Sequence, residues 1–226
     1  MIDMTNWHFS IGGGHPALVA HGLAQPPIAL HFPTLTDLLC YIGSGNQQLA
    51  AQIEDRLKAD VKSVRWKNLY TRLSIAPHFK SYRGKRYDIY KAAALARAIG
   101  HATPKQLILA NGLSSEIAAS KVIVNRGQLV LHGRSDQSPS GGPVYNGFLS
   151  TTLSPFVAQL SAIRRQHQLG GRQTVYLFTV QRDMPAMWGH VGASSEWELL
   201  FDAGLPVRQT AIHSAGSFDV VEATLG

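Results

Sequence analysis

Cysteine is almost absent from this sequence, charged residues are sparse, and no long apolar run occurs. The single cysteine, Cys40, excludes an internal disulfide and a cysteine-rich zinc site, and its neighbours in TDLLCYI predict a small buried side chain. No stretch reaches the roughly 20 apolar residues that cross a bilayer, so no membrane span is predicted. The first residues have no basic segment ahead of an apolar run, so no secretory signal peptide is expected, although export by an unmarked route stays open.

Short motifs of metal and nucleotide sites are also missing. The ten histidines form no HExxH or comparable pattern, so no metal site is predicted. No GxGxxG segment follows a strand, which argues against the Rossmann mode of dinucleotide binding. The glycines at 12–14 lack the Lys-Ser/Thr of a phosphate-binding loop, and a flexible turn is expected there.

The residues that are present are typical of one globular domain, which we expect to span 1–226. Hydrophobic residues make up 45% and charged residues 15% of the 226 positions, a composition unlike that of disordered chains. Lys and Arg number 21 against 14 Asp and Glu, which gives a net charge of +7. This charge favours acidic partners, whether a nucleotide, a nucleic acid or an acidic protein surface, without choosing among them.

Residues 1–120 have mostly helical patterns. Asn46 is placed to cap a helix, and apolar side chains four positions apart share one face of it: Leu49, Ile53, Leu57. The segment 86–100 is rich in helix formers and ends at a glycine. Thr103, followed by a proline, starts a further helix.

From residue 121 the pattern changes to short strands. Segments such as KVIV, QLVLH, TVYLFTV and FDVVEA are rich in β-branched and aromatic residues and are separated by Gly, Pro or Ser. One helix interrupts them, with Ser154 as its N-cap, Pro155 at its first position and Gly170 after its end. The sequence therefore predicts an α+β domain with a mostly helical part at 1–120 and a β-rich part at 121–226.

Two glutamates lie two residues apart in a strand predicted at 194–201. Alternation puts Glu196 and Glu198 on one face and Trp197 on the other. Neighbouring carboxylates repel each other, which is costly unless something uses them. Taken alone, the pair also fits a solvent-facing pair on an edge strand.

Two further strands carry polar residues ahead of these glutamates. One strand contains His132, Gly133 and Arg134, and the other ends in three hydroxyl side chains before the capped helix: Ser150, Thr151, Thr152. Each feature alone also fits a structural histidine or ordinary β-forming residues. Ser150 follows His132 by 18 residues and precedes the second glutamate by 48, and this order carries more information than any single motif.

In this order the three segments resemble the motifs of the ADP-ribosyltransferase superfamily. That family has a strand ending in aromatic-Arg-Gly or His-Gly, an aromatic-x-Ser-Thr-Ser strand leading into a helix, and a Glu-x-Glu strand. Here they read LHGRSDQ, FLSTTLSPFVAQLSA and SSEWELLFDAG. The resemblance covers residues 121–226. It implies a split mixed or antiparallel sheet with N-terminal helices, and an enzyme that consumes NAD⁺ as substrate without a metal.

The resemblance also implies roles for the motif residues. Glu198 would stabilise the cationic ribose that forms as nicotinamide leaves, much as in glycoside hydrolysis. Glu196 would prepare the acceptor, with an arginine side chain as the first choice. Ser150 would hold Glu198, with Thr151 and Thr152 beside it in the NAD⁺ site.

The first motif departs from the arginine-specific pattern, because His132 stands before Gly133 where those relatives have Arg. The branch of the family that uses His there pairs it with Tyr rather than Ser, so this sequence combines features of both branches. We predict that His132 binds the adenosine-side ribose of NAD⁺, with Arg134 as a second ligand. The Ser-Thr-Ser motif also differs, since its third position is Thr152.

Trp188 and the segment around Arg83 each allow two interpretations. Trp188, in the loop before the glutamates, is predicted to be an exposed aromatic contact for the acceptor, and a core tryptophan is the alternative. Tyr82-Arg83-Gly84 is a competing first motif, but no apolar strand precedes it. A solvated basic turn is therefore predicted around Arg83.

The sequence thus predicts a mono-ADP-ribosyltransferase of the bacterial toxin or effector type. It would be a monomer, secreted to act in host cytoplasm or else cytoplasmic, on a host protein such as actin, a small GTPase or ubiquitin. One alternative is an NAD⁺ glycohydrolase, with water as the acceptor. Another is a nucleic-acid-binding module, since bases and aromatics interleave at 80–90, but nucleic acid is not the expected partner.

Overall fold

The computed structural model describes residue 4 and residues 6–45, 47–61, 76–136, 144–189 and 196–226. Its helices are α1 (Pro16–Ala20), α2 (Leu35–Gly43), α3 (Ala50–Val61), α4 (Pro77–Ser81), α5 (Tyr87–Ala98), α6 (Pro104–Ala118) and α7 (Pro155–Leu169). A 3₁₀ turn (Gln47–Leu49) precedes α3, and a π-helical turn (Tyr82–Arg86) joins α4 to α5. In the part of the chain that is described, no helix is both long and apolar enough to cross a membrane.

Strands occupy most of the second half of the chain. They are β1 (Trp7–Ile11), β2 (Ile28–Phe32), β3 (Ile123–Val124), β4 (Leu129–Asp136), β5 (Val144–Tyr145), β6 (Leu149–Thr152), β7 (Arg172–Val180), β8 (Met184–Pro185), β9 (Met187–Trp188), β10 (Glu198–Phe201), β11 (Leu205–Ala215) and β12 (Phe218–Leu225). The predicted α+β class is confirmed.

Two predicted helix starts are confirmed by their capping contacts. At α6, the Thr103 hydroxyl accepts a hydrogen bond from the Gln106 N–H, and the Thr103 N–H donates to the Gln106 side chain at 2.9 Å. This reciprocal arrangement satisfies two backbone donors that the helix itself leaves unpaired. At α7, the Ser154 hydroxyl accepts from the Val157 N–H at 3.3 Å. The predicted cap at Asn46 lies outside the described residues.

The first half of the chain also contains a β-hairpin, which the helical prediction missed. Strands β1 and β2 pair antiparallel, with Trp7 opposite Phe32. Trp7 and Phe9 are buried, while His8 and Ser10, which alternate with them, are exposed. This alternation is the period-two signal of a half-buried strand, and it was available in the sequence.

The main sheet is mixed and split. Within the described residues it has eight strands in the order β5-β11-β12-β7-β4-β6-β10-β9. Strands β12 and β7 run parallel, and the other recorded pairs are antiparallel. The described register joins β4 to β6 only at Leu131 and Thr152, so one pair links the two parts of the sheet. The predicted split mixed sheet is confirmed.

The strand predicted at 194–201 is shorter than expected. It begins at Glu198, because Trp197 has a φ of +51°, a left-handed conformation that interrupts the extended backbone. The predicted alternation of faces still holds. Trp197, Leu199 and Phe201 belong to the main hydrophobic core, whereas Leu200 joins a second, smaller cluster.

The main core is formed by residues from both halves of the chain. Leu38 of α2 and Ile53 of α3 pack in the same cluster as Val175 and Val220 of the sheet. The predicted apolar face is confirmed, since Leu49 of the 3₁₀ turn and Ile53 and Leu57 of α3 are all buried. Cys40 is only half-buried. The assignment of residues 1–226 to one domain stays a prediction.

Gly133 allows α7 to approach β4 closely. A Cβ added at Gly133 would lie 2.1 Å from the carbonyl oxygen of Ala158 and 2.8 Å from the backbone nitrogen of Ala162. Any side chain at this position would push the helix away from the sheet. The missing side chain therefore sets the distance between α7 and the strand that carries His132.

Candidate active site

A cleft of about 970 Å³ lies between α5 and α7, above strands β4, β6 and β10. The residues predicted to carry the chemistry line it together: Glu196, Glu198, Ser150, His132, Gly133, Thr151, Thr152. Side chains 66 positions apart in sequence thus meet in one cavity. Their roles in binding or catalysis stay predictions.

A short hydrogen bond joins the second and third motifs. The Ser150 hydroxyl donates to Oε1 of Glu198 at 2.6 Å. Thr152 lies directly opposite Glu198 in the antiparallel register, and Ser150, two residues earlier, projects from the same face of β6. The hydrogen bond expected from the sequence is therefore present, and strand pairing accounts for it.

The Glu198 carboxyl lies in a buried environment with opposing charges around it. Burial raises the pKa of Glu198, and the nearby Glu196 raises it further. The hydrogen bond from Ser150 and the positive charges of Arg83 and Lys91 act in the opposite direction. Gly189 also makes room for this carboxylate, because a Cβ there would lie 2.6 Å from Oε2 of Glu198.

Arg83 borders Glu198, which corrects the prediction of a solvated basic turn. Its Nε lies 3.7 Å from Oε2 of Glu198, and its side chain is 26% exposed. The segment is a π-helical turn rather than a strand or loop. Such turns occur frequently at functional sites, because they redirect side chains that an α-helix would point elsewhere.

Tyr82, beside Arg83, is a further residue of the cleft, and the sequence did not predict its position beside Glu198. The side chain is buried and lines the cleft together with Ser150 and Glu198. Burial raises the pKa of Tyr82, and the charge of Glu198 adds to this effect. The phenol is therefore neutral at physiological pH and can act as a hydrogen-bond donor beside the carboxylate.

Contacts with α6 fix the segment that carries Tyr82 and Arg83. Helix α4 has no side-chain cap of its own, and the Glu116 carboxylate accepts from the N–H groups of His78 and Phe79, both at 2.8 Å. A carboxylate at a helix N-terminus satisfies unpaired donors and complements the helix dipole. The π-helical turn therefore follows a helix that is capped from a distant part of the chain.

His132 is buried and bound to the strand that carries Ser150. Its Nδ1 lies 2.6 Å from the Ser150 carbonyl oxygen, and its ring packs edge-on against Tyr145. A carbonyl oxygen only accepts hydrogen bonds, so Nδ1 carries the proton in this contact. Arg134 belongs to β4, but its side chain lies outside what the structure describes.

The two threonines after Ser150 make structural hydrogen bonds. The Thr151 hydroxyl donates to the carbonyl oxygen of Leu199 at 2.8 Å, and the Thr152 hydroxyl donates to that of Glu196 at 2.6 Å. Both side chains are almost fully buried. These bonds fix the backbone on either side of Glu198, and the predicted contact of both threonines with NAD⁺ stays a prediction.

Comparison with known proteins identifies the fold. No protein-family model and no curated protein matches this chain. The ADP-ribosyltransferase Vis in complex with M6 inhibitor matches with a TM-score of 0.51 and 16% identity, over 84% of this chain and 85% of that chain. Vis toxin, an ADP-ribosyltransferase from Vibrio splendidus, gives a TM-score of 0.50 and 15% identity, over 79% and 83%. This chain has the ADP-ribosyltransferase fold.

A second complex of the same protein, Vis with agmatine, matches with a TM-score of 0.50 and 14% identity, over 84% of this chain and 85% of that chain. At identities this low, the likeness establishes the fold and not the reaction.

In this ADP-ribosyltransferase fold the first glutamate of the third motif is accessible. Glu196 is exposed and lines the same cleft as the buried Glu198. The two carboxylates therefore differ in solvation although they are two residues apart. The buried Glu198 is suited to an enclosed reacting centre, and the exposed Glu196 is suited to contact with a molecule that approaches from solvent.

Three basic side chains that the sequence did not single out line the cleft beside Arg83. Lys91 comes from α5, and Arg164 and Arg165 come from α7. Burial lowers the pKa of Lys91, and the charge of Arg165 lowers it further, so these cations are held close together. Basic residues on helices resemble an ordinary charged surface, so no sequence pattern marks these three.

The prediction that Trp188 is exposed is wrong. Its side chain is only 2% exposed and packs edge-on against Trp197, with ring centroids 6.3 Å apart. Strand β9 pairs with β10, and Leu199 is opposite Trp188, so the ring is drawn into the main core. The core alternative considered from the sequence is the correct one.

The described residues include no cluster of three or more His, Cys, Asp or Glu side chains that could hold a metal ion. The prediction that NAD⁺ chemistry here needs no metal therefore rests on the family resemblance and stays a prediction.

Proposed function

We propose that this protein is a mono-ADP-ribosyltransferase that cleaves NAD⁺ and transfers ADP-ribose to a guanidinium side chain of another protein. The main support is the buried Glu198 carboxyl, which accepts a 2.6 Å hydrogen bond from Ser150 inside an open cleft. The ADP-ribosyltransferase fold and the order of the three motifs support the same conclusion.

In the proposed reaction, the bond between the ribose C1′ and the nicotinamide nitrogen breaks. Nicotinamide leaves with the electron pair, and positive charge develops on the ribose, as in glycoside hydrolysis. The Glu198 carboxylate stabilises this cation, because its negative charge is buried and already oriented before the reaction. Ser150 keeps the carboxylate in that orientation.

The cations of the cleft suit the diphosphate of NAD⁺. Arg83, Lys91, Arg164 and Arg165 line a single cavity, and guanidinium groups bind phosphate oxygens with paired hydrogen bonds. Because Arg83 also borders Glu198, the diphosphate and the reacting ribose would occupy adjacent parts of the cleft. His132 lines the same cleft, and we propose that it binds the adenosine-side ribose of NAD⁺.

Glu196 is the proposed base for the acceptor. A nitrogen of the acceptor guanidinium forms the new bond to C1′, and its proton passes to the Glu196 carboxylate. The exposure of Glu196 at the cleft supports this role, since the acceptor has to approach from solvent. The match to Vis in complex with agmatine agrees with a guanidinium acceptor, because agmatine carries that group.

The setting that we propose is that of a bacterial toxin or effector acting on a protein of the host cytosol, in line with the description of Vis as a toxin. A role in binding nucleic acid is not favoured. Tyr82 and Tyr90, two aromatics of the basic segment, are buried and unavailable for stacking on bases.

The test is incubation with labelled NAD⁺ and a cell lysate, comparing the wild type with Glu198→Gln. We expect a discrete labelled protein band for the wild type and a loss of label on the order of 1,000-fold for the variant. Asp55→Asn, which changes a carboxylate that is 79% exposed on α3, is the matched control and is expected to behave like the wild type.

A Glu196→Ala variant distinguishes transfer from hydrolysis. Loss of protein label with continued nicotinamide release supports the transferase. Nicotinamide release by the wild type without any protein label identifies an NAD⁺ glycohydrolase instead. If neither product forms, or if Glu198→Gln labels as well as the wild type, the proposed function is wrong.

A further inference from the structure

The residue between the two glutamates has an unusual backbone. Trp197 is fully buried and has a φ of +51°. This left-handed region is a genuine outlier for a bulky side chain, because the Cβ approaches the following carbonyl oxygen. Such a conformation persists only where surrounding contacts enforce it, and these outliers concentrate at functional sites.

Contacts from three directions enforce it. The indole N–H of Trp197 donates to Oε1 of Glu54 at 3.2 Å. The ring packs edge-on against Trp188, and the backbone carbonyl oxygen of Trp197 accepts from the N–H of Leu153 at 3.1 Å. The first of these contacts comes from α3, 143 residues earlier in the chain.

Glu54 is itself well anchored. Its neighbour Ile53 and, one turn later, Leu57 are buried in the main core, which fixes the rotation of α3. The second oxygen of Glu54, Oε2, lies 3.5 Å from Nζ of Lys58. One carboxylate oxygen therefore faces the indole while the other faces a cation.

The two catalytic candidates depend on Trp197 to different degrees. Glu198 lies in β10, its carboxylate is bound by Ser150, and its carbonyl oxygen accepts from the Gly189 N–H at 2.8 Å. Glu196 precedes the strand, and its backbone carbonyl is held by the Thr152 hydroxyl. The direction of Glu196 relative to Glu198 is set by the left-handed residue between them.

We propose that Glu54 is a positioning residue for the acceptor-side carboxylate of Glu196 and acts through the Trp197 indole. The inference rests on the proposed function and adds a residue from the helical part of the chain to it. In this role Glu54 touches neither NAD⁺ nor the acceptor. It keeps Trp197 in its left-handed conformation, and so keeps Glu196 directed into the cleft.

This role predicts a division between two activities of one enzyme. Cleavage of NAD⁺ depends on Glu198, whose supports in the sheet do not include Glu54. Transfer depends in addition on Glu196. Loss of the Glu54 acceptor is therefore expected to reduce transfer and leave cleavage nearly intact.

The experiment compares E54L, E54Q and K58A with the wild type. Nicotinamide release is measured without acceptor, and transfer of labelled ADP-ribose is measured to agmatine and to lysate protein in parallel. We expect E54L to lower transfer about tenfold, the equivalent of about 1.4 kcal/mol, with less than about a twofold change in release. E54Q keeps an acceptor oxygen for the indole and is expected to restore transfer. K58A removes the ion pairs of Lys58 with Glu54 and with Asp55 but leaves the bond from Glu54 to the indole, and it is expected to match the wild type.

A second variant covers the case in which E54L does not fold. W197F keeps an aromatic ring in the core and deletes the indole N–H. Like E54L, it is expected to lower transfer while nicotinamide release stays nearly unchanged. Equal losses of release and transfer in the folded variants would show a general structural role and overturn the inference, as would unchanged transfer. A wild type that neither releases nicotinamide nor labels any acceptor overturns the proposed function, and this inference with it.

Discussion

The two walls of the cleft are built in different ways. Glu198 and Ser150 belong to paired strands, where backbone register brings them together. Tyr82 and Arg83 belong to a π-helical turn, which follows a helix capped by Glu116 from α6. The carboxylate side therefore depends on local strand geometry, while the cationic side depends on contacts between distant segments. Three substitutions test this comparison, in order of decreasing effect.

The largest effect is expected from Ser150→Ala on the sheet side. Removing one hydrogen bond to a charged group costs about 1.5–3 kcal/mol, which corresponds to a roughly 10- to 100-fold slower nicotinamide release. The rate at saturating NAD⁺ measures this directly. Ser120→Ala removes a comparable 2.7 Å bond, from Ser120 to the Ala186 carbonyl, and is expected to leave the rate unchanged. Equal rates for Ser150→Ala and the wild type would contradict the orienting role.

Arg83→Gln, on the helical side, is expected to have an intermediate and pH-dependent effect. The positive charge of Arg83 lowers the pKa of Glu198, so its removal raises a pKa that burial has already raised. The reaction needs the ionised carboxylate, so the rate falls as pH drops through this pKa. The acid limb of the profile is therefore expected to move to higher pH.

The size of the Arg83→Gln effect follows from the partial exposure of the pair. At saturating NAD⁺ we expect about a fivefold loss at neutral pH, since a partly exposed ion pair contributes about 1 kcal/mol. Above the shifted pKa the difference is expected to disappear. Arg83→Lys keeps the charge and serves as the control. If the acid limb of the pH profile does not move in Arg83→Gln, Arg83 does not influence the pKa of Glu198.

Thr151→Val is expected to give the smallest change, and in stability rather than in activity. The substitution keeps the shape of the side chain and deletes its bond to the Leu199 carbonyl. We expect the free energy of unfolding, measured by urea denaturation, to fall by about 1 kcal/mol. The KM for NAD⁺ is expected to stay unchanged. A raised KM with unchanged stability would instead favour the direct contact with NAD⁺ that the sequence predicted.

Local patterns were enough to predict much of the sheet and of the carboxylate wall. The alternation around Glu198, the hydroxyls at 150–152 and the capped start of α7 all act over fewer than ten residues. Their strands meet because antiparallel register is tightly specified when one face is buried. The order of these motifs along the chain, which resembles that of a known family, predicted that they form one site.

The remaining features could not be predicted because they depend on tertiary contacts. Arg83 lies in a basic, polar segment, and only the packing of α4 against α6 brings it to Glu198. The local sequence around Trp188 resembles an exposed loop, whereas strand pairing with Leu199 decides that its side chain is buried. Trp197 makes the strand start late, at Glu198, because of contacts from α3 and the neighbouring core, which no local propensity describes.

The cap that Glu116 provides has a consequence for the order of events during synthesis. The N–H groups of His78 and Phe79 obtain their partner 38 and 37 residues downstream. A five-residue helix without that partner is too short to persist in water. The nascent chain must therefore be translated beyond α6 before Arg83 can take up its position. Arg83 can pair with Glu198 only after β10, which carries Glu198, has also been synthesised.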